Sequence, residues 1–243
     1  MLISAVRTSG AETIVFAGGD PSIRPDLSAL FEFSKELKLK VEVQTNAHRV
    51  SADFLSVLKR ADMVGLSLDG PNPETHDAFR GAPGNFERVL EVMGVLRQSR
   101  VPVILRTVVS KPNHQTISKM SRFVELWENV VRWSLLEFSA IGQGYVNRAE
   151  YEINQDAFDR IGAEVRANFR GSAQVDLYSS EAKAGTYALV TPAGLMYGTG
   201  HPPTDGIFPL LGSIIHEHLS VLACKLPFSR ELHAQRYAGL ATL

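Results

Sequence analysis

Apolar and polar positions follow two alternating periods over roughly the first 140 residues. The runs "ETIVFAG", "KVEVQTNA", "MVGLSLDG", "VPVILRTVVS" and "VRWSLLEFSAIGQG" are short and rich in β-branched residues, and they predict strands. Helix-period segments lie between them. "LSALFEFSKELKL" predicts a helix with an apolar face of Leu27, Leu30, Phe31, Phe33 and Leu37, and "ADFLSVLKRA" follows Ser51 as its N-cap. "NFERVLEVMGVLRQS" and "TISKMSRFVELWENV" are amphipathic in the same way. Strands alternating with helices of this length predict βα units and a parallel sheet.

The rhythm changes after Gly144. "NQDAFDRIGAEVRANFR" predicts a helix capped by Asn154, and "AQVDLYSS" a strand. "GTYALVTPAGLMYGTG" reads as two strands turning at Pro192-Ala193-Gly194, "HPPTDGIFP" as a proline-rich loop, and the stretch from "SIIHEHL" onward as helical or irregular. The expected organisation is a barrel-like body over residues 1–150 and an αβ extension over 151–243, without internal repeats.

Composition narrows the function classes. Twenty-five Lys plus Arg against 26 Asp plus Glu give a net charge of −1, so no electrostatic case exists for a nucleic-acid partner. No apolar run approaches the ~20 residues of a membrane span, and the N-terminal stretch lacks the order of a secretory signal, so a cytoplasmic protein is expected. Cys224 is the single cysteine, which excludes an intrachain disulfide and any metal site made of cysteines alone.

In a parallel α/β body, ligands bind where the C-terminal ends of the strands meet the βα loops. The five predicted strands end in Gly18-Gly19-Asp20, in Gln44-Thr45-Asn46, in Ser67 and Asp69, in Arg106-Thr107 with Lys111, Asn113 and His114 beyond, and in Glu137, Ser139 and Gly142-Gln143-Gly144. Any one of these is an ordinary turn residue. Five strand ends in succession describe a polar pocket for a small ligand with amine, carboxylate and hydroxyl groups. Glycines admit close backbone approach, Asp20 suits a cation, and Arg106 suits a carboxylate.

These residues also carry a resemblance. "FAGGDPSIRPDL" resembles the Gly-Gly-Glu-Pro motif of radical S-adenosylmethionine (SAM) enzymes, with Asp20 where Glu is usual. "VQTNA", "LSLDGPNPETHDAFRGAPGNFERVLEVMGVL" and "VILRTVV" follow in that family's order, so the resemblance covers roughly residues 10 to 145. It points toward the molybdenum-cofactor-biosynthesis-protein-A-like and peptide-modifying types. The fold it implies is α/β, a partial (β/α)6 TIM-like barrel, here lacking its first strand and followed by an αβ extension. The chemistry it implies is reductive cleavage of SAM to a 5′-deoxyadenosyl radical that abstracts hydrogen from a small-molecule or peptide substrate, with a flavodoxin or ferredoxin as reductant. By the same resemblance Gly18, Gly19 and Asp20 hold the methionine amine, and Ser67 and Arg106 hold the ribose or carboxylate. Ile141 lines the adenine, and Pro21, Asn46 and Asp69 belong to the same cofactor-binding set.

One part of that chemistry has no residues here. The family holds a 4Fe–4S cluster with three cysteines spaced C-x-x-x-C-x-x-C, and thiolates are the ligands such clusters require. With Met1 to Ala5 reading as the end of the first barrel helix, the sequence is expected to be a radical SAM enzyme cut before its cysteine loop. The alternative is a non-catalytic barrel that binds SAM or a partner. A third reading, an ordinary α/β lyase or aldolase-type barrel, finds no candidate Schiff-base lysine or metal-ligand set at the strand ends of this sequence. No catalytic residue and no metal ligand is assigned. "HEH" at His216, Glu217 and His218 lacks the i, i+4 spacing of a zinc helix and reads as a solvated helix face. His76 reads as a structural loop contact, Trp127 and Trp133 as core, and Gly142-Gln143-Gly144 lacks the third glycine of a dinucleotide fingerprint.

Overall fold

A computed structural model describes residues 2–8, 10–180, 187–199, 207–226 and 231. Their packing separates two units: Ala11–Glu137 with Ile153–Leu177, and Met1–Gly10 with Phe138–Glu152 and Tyr178–Leu243. The elements in chain order begin with α1 (Leu2–Thr8), β1 (Thr13–Phe16), α2 (Leu27–Glu36), β2 (Lys40–Thr45), α3 (Ala52–Leu58) and β3 (Met63–Ser67). Next come α4 (Pro73–Arg80), α5 (Asn85–Gln98), β4 (Val103–Val109), α6 (Met120–Val124) and β5 (Val130–Glu137). After these lie α7 (Gln143–Val146), α8 (Arg148–Tyr151), α9 (Gln155–Asn168) and β6 (Gln174–Tyr178). The last are β7 (Ala188–Val190), β8 (Leu195–Gly198), β9 (Leu210–Ser213) and α10 (Leu219–Cys224).

The first unit is built on a six-stranded sheet in the order β1-β2-β3-β4-β5-β6. β1 through β5 pair in parallel, each with the next. The period of two along each strand sorts its side chains to opposite faces. One face carries Val41, Val43, Val64, Leu66, Val103, Leu105, Trp133 and Leu135, all buried with Phe31, Phe54, Val57, Val89, Met93 and Leu96 of the covering helices. The other face carries Glu42, Gln44, Gly65, Ser67, Arg106, Arg132 and Ser134 among the apolar Met63, Ile104, Val108 and Leu136, and it is the more polar of the two. Its outer strands contribute a buried ion pair between Arg132 Nε and Asp176 Oδ2 at 3.0 Å.

Local signals explain the helix ends. Ser51 Oγ accepts from Phe54 N–H at 3.1 Å and Asn154 Oδ1 from Ala157 N–H at 2.8 Å, so both expected N-caps are formed. α2 and α5 end in the same way, with left-handed Lys38 (φ 58°) and Arg100 (φ 55°). The N–H groups of Leu39 and Val101 return 3.0 Å to Ser34 O and Leu96 O, the long hydrogen bond of the Schellman motif.

Three expectations are corrected. The buried face of α2 is Leu27, Phe31 and Ser34, while Phe33 is exposed. Residues 27, 31 and 34 lie along one stripe at 3.6 residues per turn, and Ser34 enters the core because its Oγ donates to Leu30 O at 2.7 Å. The segment expected as one long helix from Thr116 is a 3-10 turn, His114–Lys119, leading into the five-residue α6. His216 and Glu217 lie in a turn and not on a helix, and His218 caps α10. Leu210–Ser213, a stretch to which the sequence pattern assigns no strand, forms β9.

In the second unit β7, β8 and β9 make an antiparallel sheet. The turn falls at Pro192-Ala193-Gly194 as the sequence predicts, with Gly194 at φ +77°. Met196, Ile214 and Leu222 form its small core. Most of the proline-rich 201–209 stretch lies outside the described residues. No helix among the described residues is long and apolar enough to cross a membrane.

Candidate functional site

At the end of β1 the chain turns through Gly18, at φ +105°, a conformation only glycine adopts cheaply. Gly19 follows, and there neither backbone nor packing demands glycine. A Cβ at Gly19 would meet no atom within 4 Å. Both glycines are exposed, and the space beside them is unfilled by the protein.

Asp20 fixes this turn to the next strand. Its Oδ1 accepts from Ser22 N–H at 2.8 Å, and its Oδ2 from Thr45 Oγ1 and Asn46 N–H, both at 2.8 Å. Pro21 is buried at the start of the 3-10 turn Pro21–Ile23. Three donors occupy most of the carboxylate's acceptor capacity, so Asp20 shapes the loop that presents Gly18 and Gly19.

Asn46 and Asp69 belong to a buried clasp behind the strand ends. Asn46 O accepts from Asn85 Nδ2 at 3.0 Å, and Asn85 Oδ1 lies 3.0 Å from His76 Nε2. Asp69 N–H donates to His76 Nδ1 at 3.0 Å, which places the ring proton on Nε2. Asp69 is fully buried: its Oδ2 receives Arg80 Nε and Nη2, each at 2.6 Å, and its Oδ1 receives Val108 N–H at 2.8 Å. Asn113 Nδ2 bridges Asp69 O and Val108 O at 2.9 and 2.7 Å. Gly70 is required because a Cβ there would stand 2.8 Å from His76 N. Burial lowers the His76 pKa below the ordinary histidine value, against the smaller opposing pull of the Asp69 charge. His76 is thus a neutral structural link, as its position in the sequence predicts.

Ser67 and Arg106 stand side by side, in register on β3 and β4 on the polar face. Ser67 Oγ makes no hydrogen bond among the described residues. Arg106 leans back across β3 to β2, where its Nη2 meets Glu42 Oε1 at 2.7 Å. Glu42 Oε1 also accepts from Gln44 Nε2 at 3.0 Å. The guanidinium passes over Gly65, and Arg106 Nη1 is buried there with no hydrogen-bond partner.

The structure therefore gathers Gly18, Gly19, Asp20, Pro21, Asn46, Ser67, Asp69 and Arg106 in one unit. Ser67 and the glycines retain free polar or open surface, Arg106 keeps a buried unpaired nitrogen, and Asp69 is committed to the clasp, which Asn46 joins through its backbone while its Oδ1 accepts from His48 N–H at 2.8 Å. Ile141 lies in the other unit, half-buried before α7, its N–H bonded to Ser139 O at 2.8 Å. Glu42 and Gly65 were not singled out from the sequence. Their signals are a carboxylate amid the valines of "KVEVQT" and a glycine inside a strand, which marks close approach of another group.

The donor set does not fit an iron–sulfur cluster. The chain has one cysteine, Cys224, which is exposed on α10 in the second unit. No cluster of three or more His, Cys, Asp or Glu that could hold a metal occurs among the described residues. The unpartnered guanidinium nitrogen of Arg106 suits a carboxylate, and the exposed Gly18-Gly19 turn leaves its backbone open to a ligand.

Comparison with known proteins gives the family and the fold. Residues 2–124 match the model of the Radical SAM superfamily. An AdoMet-dependent heme synthase of Methanosarcina barkeri is 36% identical over 119 residues, covering 48% of this chain and 34% of that protein. A PqqA peptide cyclase of Ruegeria pomeroyi is 27% identical over 222 residues, covering 87% of this chain and 58% of its own length. Among solved structures, Streptococcus suis SuiB bound to its precursor peptide SuiA has the same fold. The TM-score is 0.71 at 15% identity, over 98% of this chain and 58% of that one. This chain thus spans about a third of the heme synthase and less than two thirds of the other two.

Proposed function

The chain belongs to the radical SAM superfamily, and from that premise we propose that its parallel sheet is a SAM-binding platform that does not cleave SAM by itself. The observation that carries this reading is Gly19, an exposed glycine whose missing side chain leaves a space no protein atom occupies. The methionine amine is assigned to the backbone of the Gly18-Gly19 turn, with Asp20 holding that turn in shape and adding negative charge. Ser67 and Arg106 are assigned the carboxylate or ribose. Pro21, Asn46 and Asp69 support the site from behind.

SAM bound in this way would supply the family's radical chemistry only in the presence of a cluster, which needs thiolates beyond the one in this sequence. The residues present can bind, orient and shield SAM. The substrate is proposed to be a peptide or a small molecule. The names PqqA peptide cyclase and SuiB bound to precursor peptide SuiA support the peptide. A flavodoxin or ferredoxin is the proposed reductant wherever a cluster is supplied, and the cytoplasm is the proposed compartment.

Anaerobic reconstitution of the 243-residue chain with iron and sulfide, followed by dithionite and SAM, tests this directly. The expected outcome is retention of SAM in equilibrium dialysis with no 5′-deoxyadenosine formed. Formation of 5′-deoxyadenosine at a rate above the protein-free control would overturn it.

A further inference from the structure

The polar face of the sheet holds an ion pair in an unusual posture. Arg106 on β4 reaches Glu42 on β2, skipping the intervening strand, a span of roughly 10 Å between backbones. Such a reach needs a bare strand beneath it. Gly65 lies on the diagonal between the two residues: it pairs with Gln44 on one side and Ile104 on the other. A Cβ at Gly65 would overlap Arg106 Nη1.

The pair is also incompletely satisfied. A guanidinium offers five N–H donors in a fork suited to both oxygens of a carboxylate. Here one hydrogen bond reaches Glu42 Oε1, and Nη1 is buried unpaired against β3. Glu42 would keep one donor if the arginine left, because Gln44 Nε2 still donates to the same oxygen at 3.0 Å. An unpaired buried donor on one side and a retained donor on the other make the arrangement easy to exchange for a bidentate partner.

We infer that Glu42 is an internal counter-ion that parks Arg106 over Gly65, and that a carboxylate-bearing ligand binds this face by taking the guanidinium from Glu42. Glu42 and Gly65 are positioning residues: Glu42 competes with the ligand, and Gly65 provides the corridor. The inference rests on the SAM-platform reading, with the methionine carboxylate as the incoming anion. Ser67, in register with Arg106 and with a free hydroxyl, stands where the swung guanidinium and its anion would meet a further donor.

Calorimetric titration of the full chain with SAM and with decarboxylated SAM separates this from simpler roles, because the two ligands differ only in the carboxylate. Glu42→Gln keeps shape and removes the competing charge. It is expected to tighten SAM about tenfold while leaving decarboxylated SAM within about twofold. Gly65→Ala, which expels the guanidinium without touching Glu42, is expected to give the same selective gain, and it carries the test if Glu42→Gln fails to fold. Arg106→Met should weaken SAM to the level of the decarboxylated ligand, and Glu42→Gln added to it should gain nothing. Weaker SAM binding in Glu42→Gln, an equal change for both ligands, or a gain that survives Arg106→Met would overturn the inference. Wild-type protein that binds both ligands equally would also overturn it, leaving the platform reading intact. Wild-type protein that binds neither would overturn both.

Discussion

His76 Nε2 and Asn85 Oδ1 lie 3.0 Å apart with both side chains closed off from solvent. The bond works only with a neutral ring, because Nδ1 must stay unprotonated to accept Asp69 N–H. One imidazole thus joins the exit of β3 to α5, and through Asn85 to the turn at Asn46.

A pH dependence follows with a fixed sign. Burial lowers the folded-state pKa of His76, so below about pH 6.5 the unfolded chain binds a proton that the folded chain refuses. Stability should be level above about pH 7 and fall as the pH drops toward 5.5 through this group. Urea unfolding at pH 7.5 and 5.5 measures it. His76→Gln should be less stable at pH 7.5 but flatter between the two values. An unchanged slope would assign the pH dependence elsewhere.

Asp20→Asn tests whether the carboxylate shapes the glycine turn. The amide replaces one acceptor oxygen with a donor facing either Ser22 N–H or the pair Thr45 Oγ1 and Asn46 N–H. A loss of about 2 kcal/mol in unfolding free energy is expected, as for a buried hydrogen bond to a charged group left unmade. Faster amide exchange at Ser22 and Asn46 should accompany it. A variant as stable as wild type, with those amides still protected, would show that the carboxylate does not hold the turn.

Ala47 is buried in the left-handed region at φ 54°, where an L-residue is disfavoured by about 1–2 kcal/mol. Ala47→Gly should therefore raise stability by about 1 kcal/mol after the entropy of glycine in the unfolded chain is counted. The denaturation midpoint should rise with the m-value unchanged. A lower midpoint would mean that the methyl group contributes more by packing than the backbone loses by strain.

The parts legible in the sequence are those set by neighbours along the chain. Ser51 and Asn154 announce their caps because the donors they satisfy lie three residues on. The glycine turn and the order of the βα units were legible for the same reason. The Glu42–Arg106 pair was not, because 64 residues separate its members and only strand register brings them together. Phe33 was misplaced because hydrophobicity stood in for geometry, while Ser34 hid its hydroxyl in the helix backbone. β6 reads as a strand in the sequence, but only the sheet order shows that it extends the parallel sheet beside β5. Asp69 presents itself as a strand-end carboxylate, yet its oxygens are occupied by Arg80 and Val108.

The claim on which the account depends is that the empty space at Gly19 receives SAM, and titration calorimetry of SAM into wild-type chain and into Gly19→Trp tests it most directly. A Cβ at the exposed Gly19 would meet no atom within 4 Å, so the variant is expected to fold with wild-type melting behaviour. The account predicts saturable one-to-one binding by the wild type and at least a roughly hundredfold loss, about 2.7 kcal/mol, in the variant. Equal affinities in two equally folded proteins would contradict it.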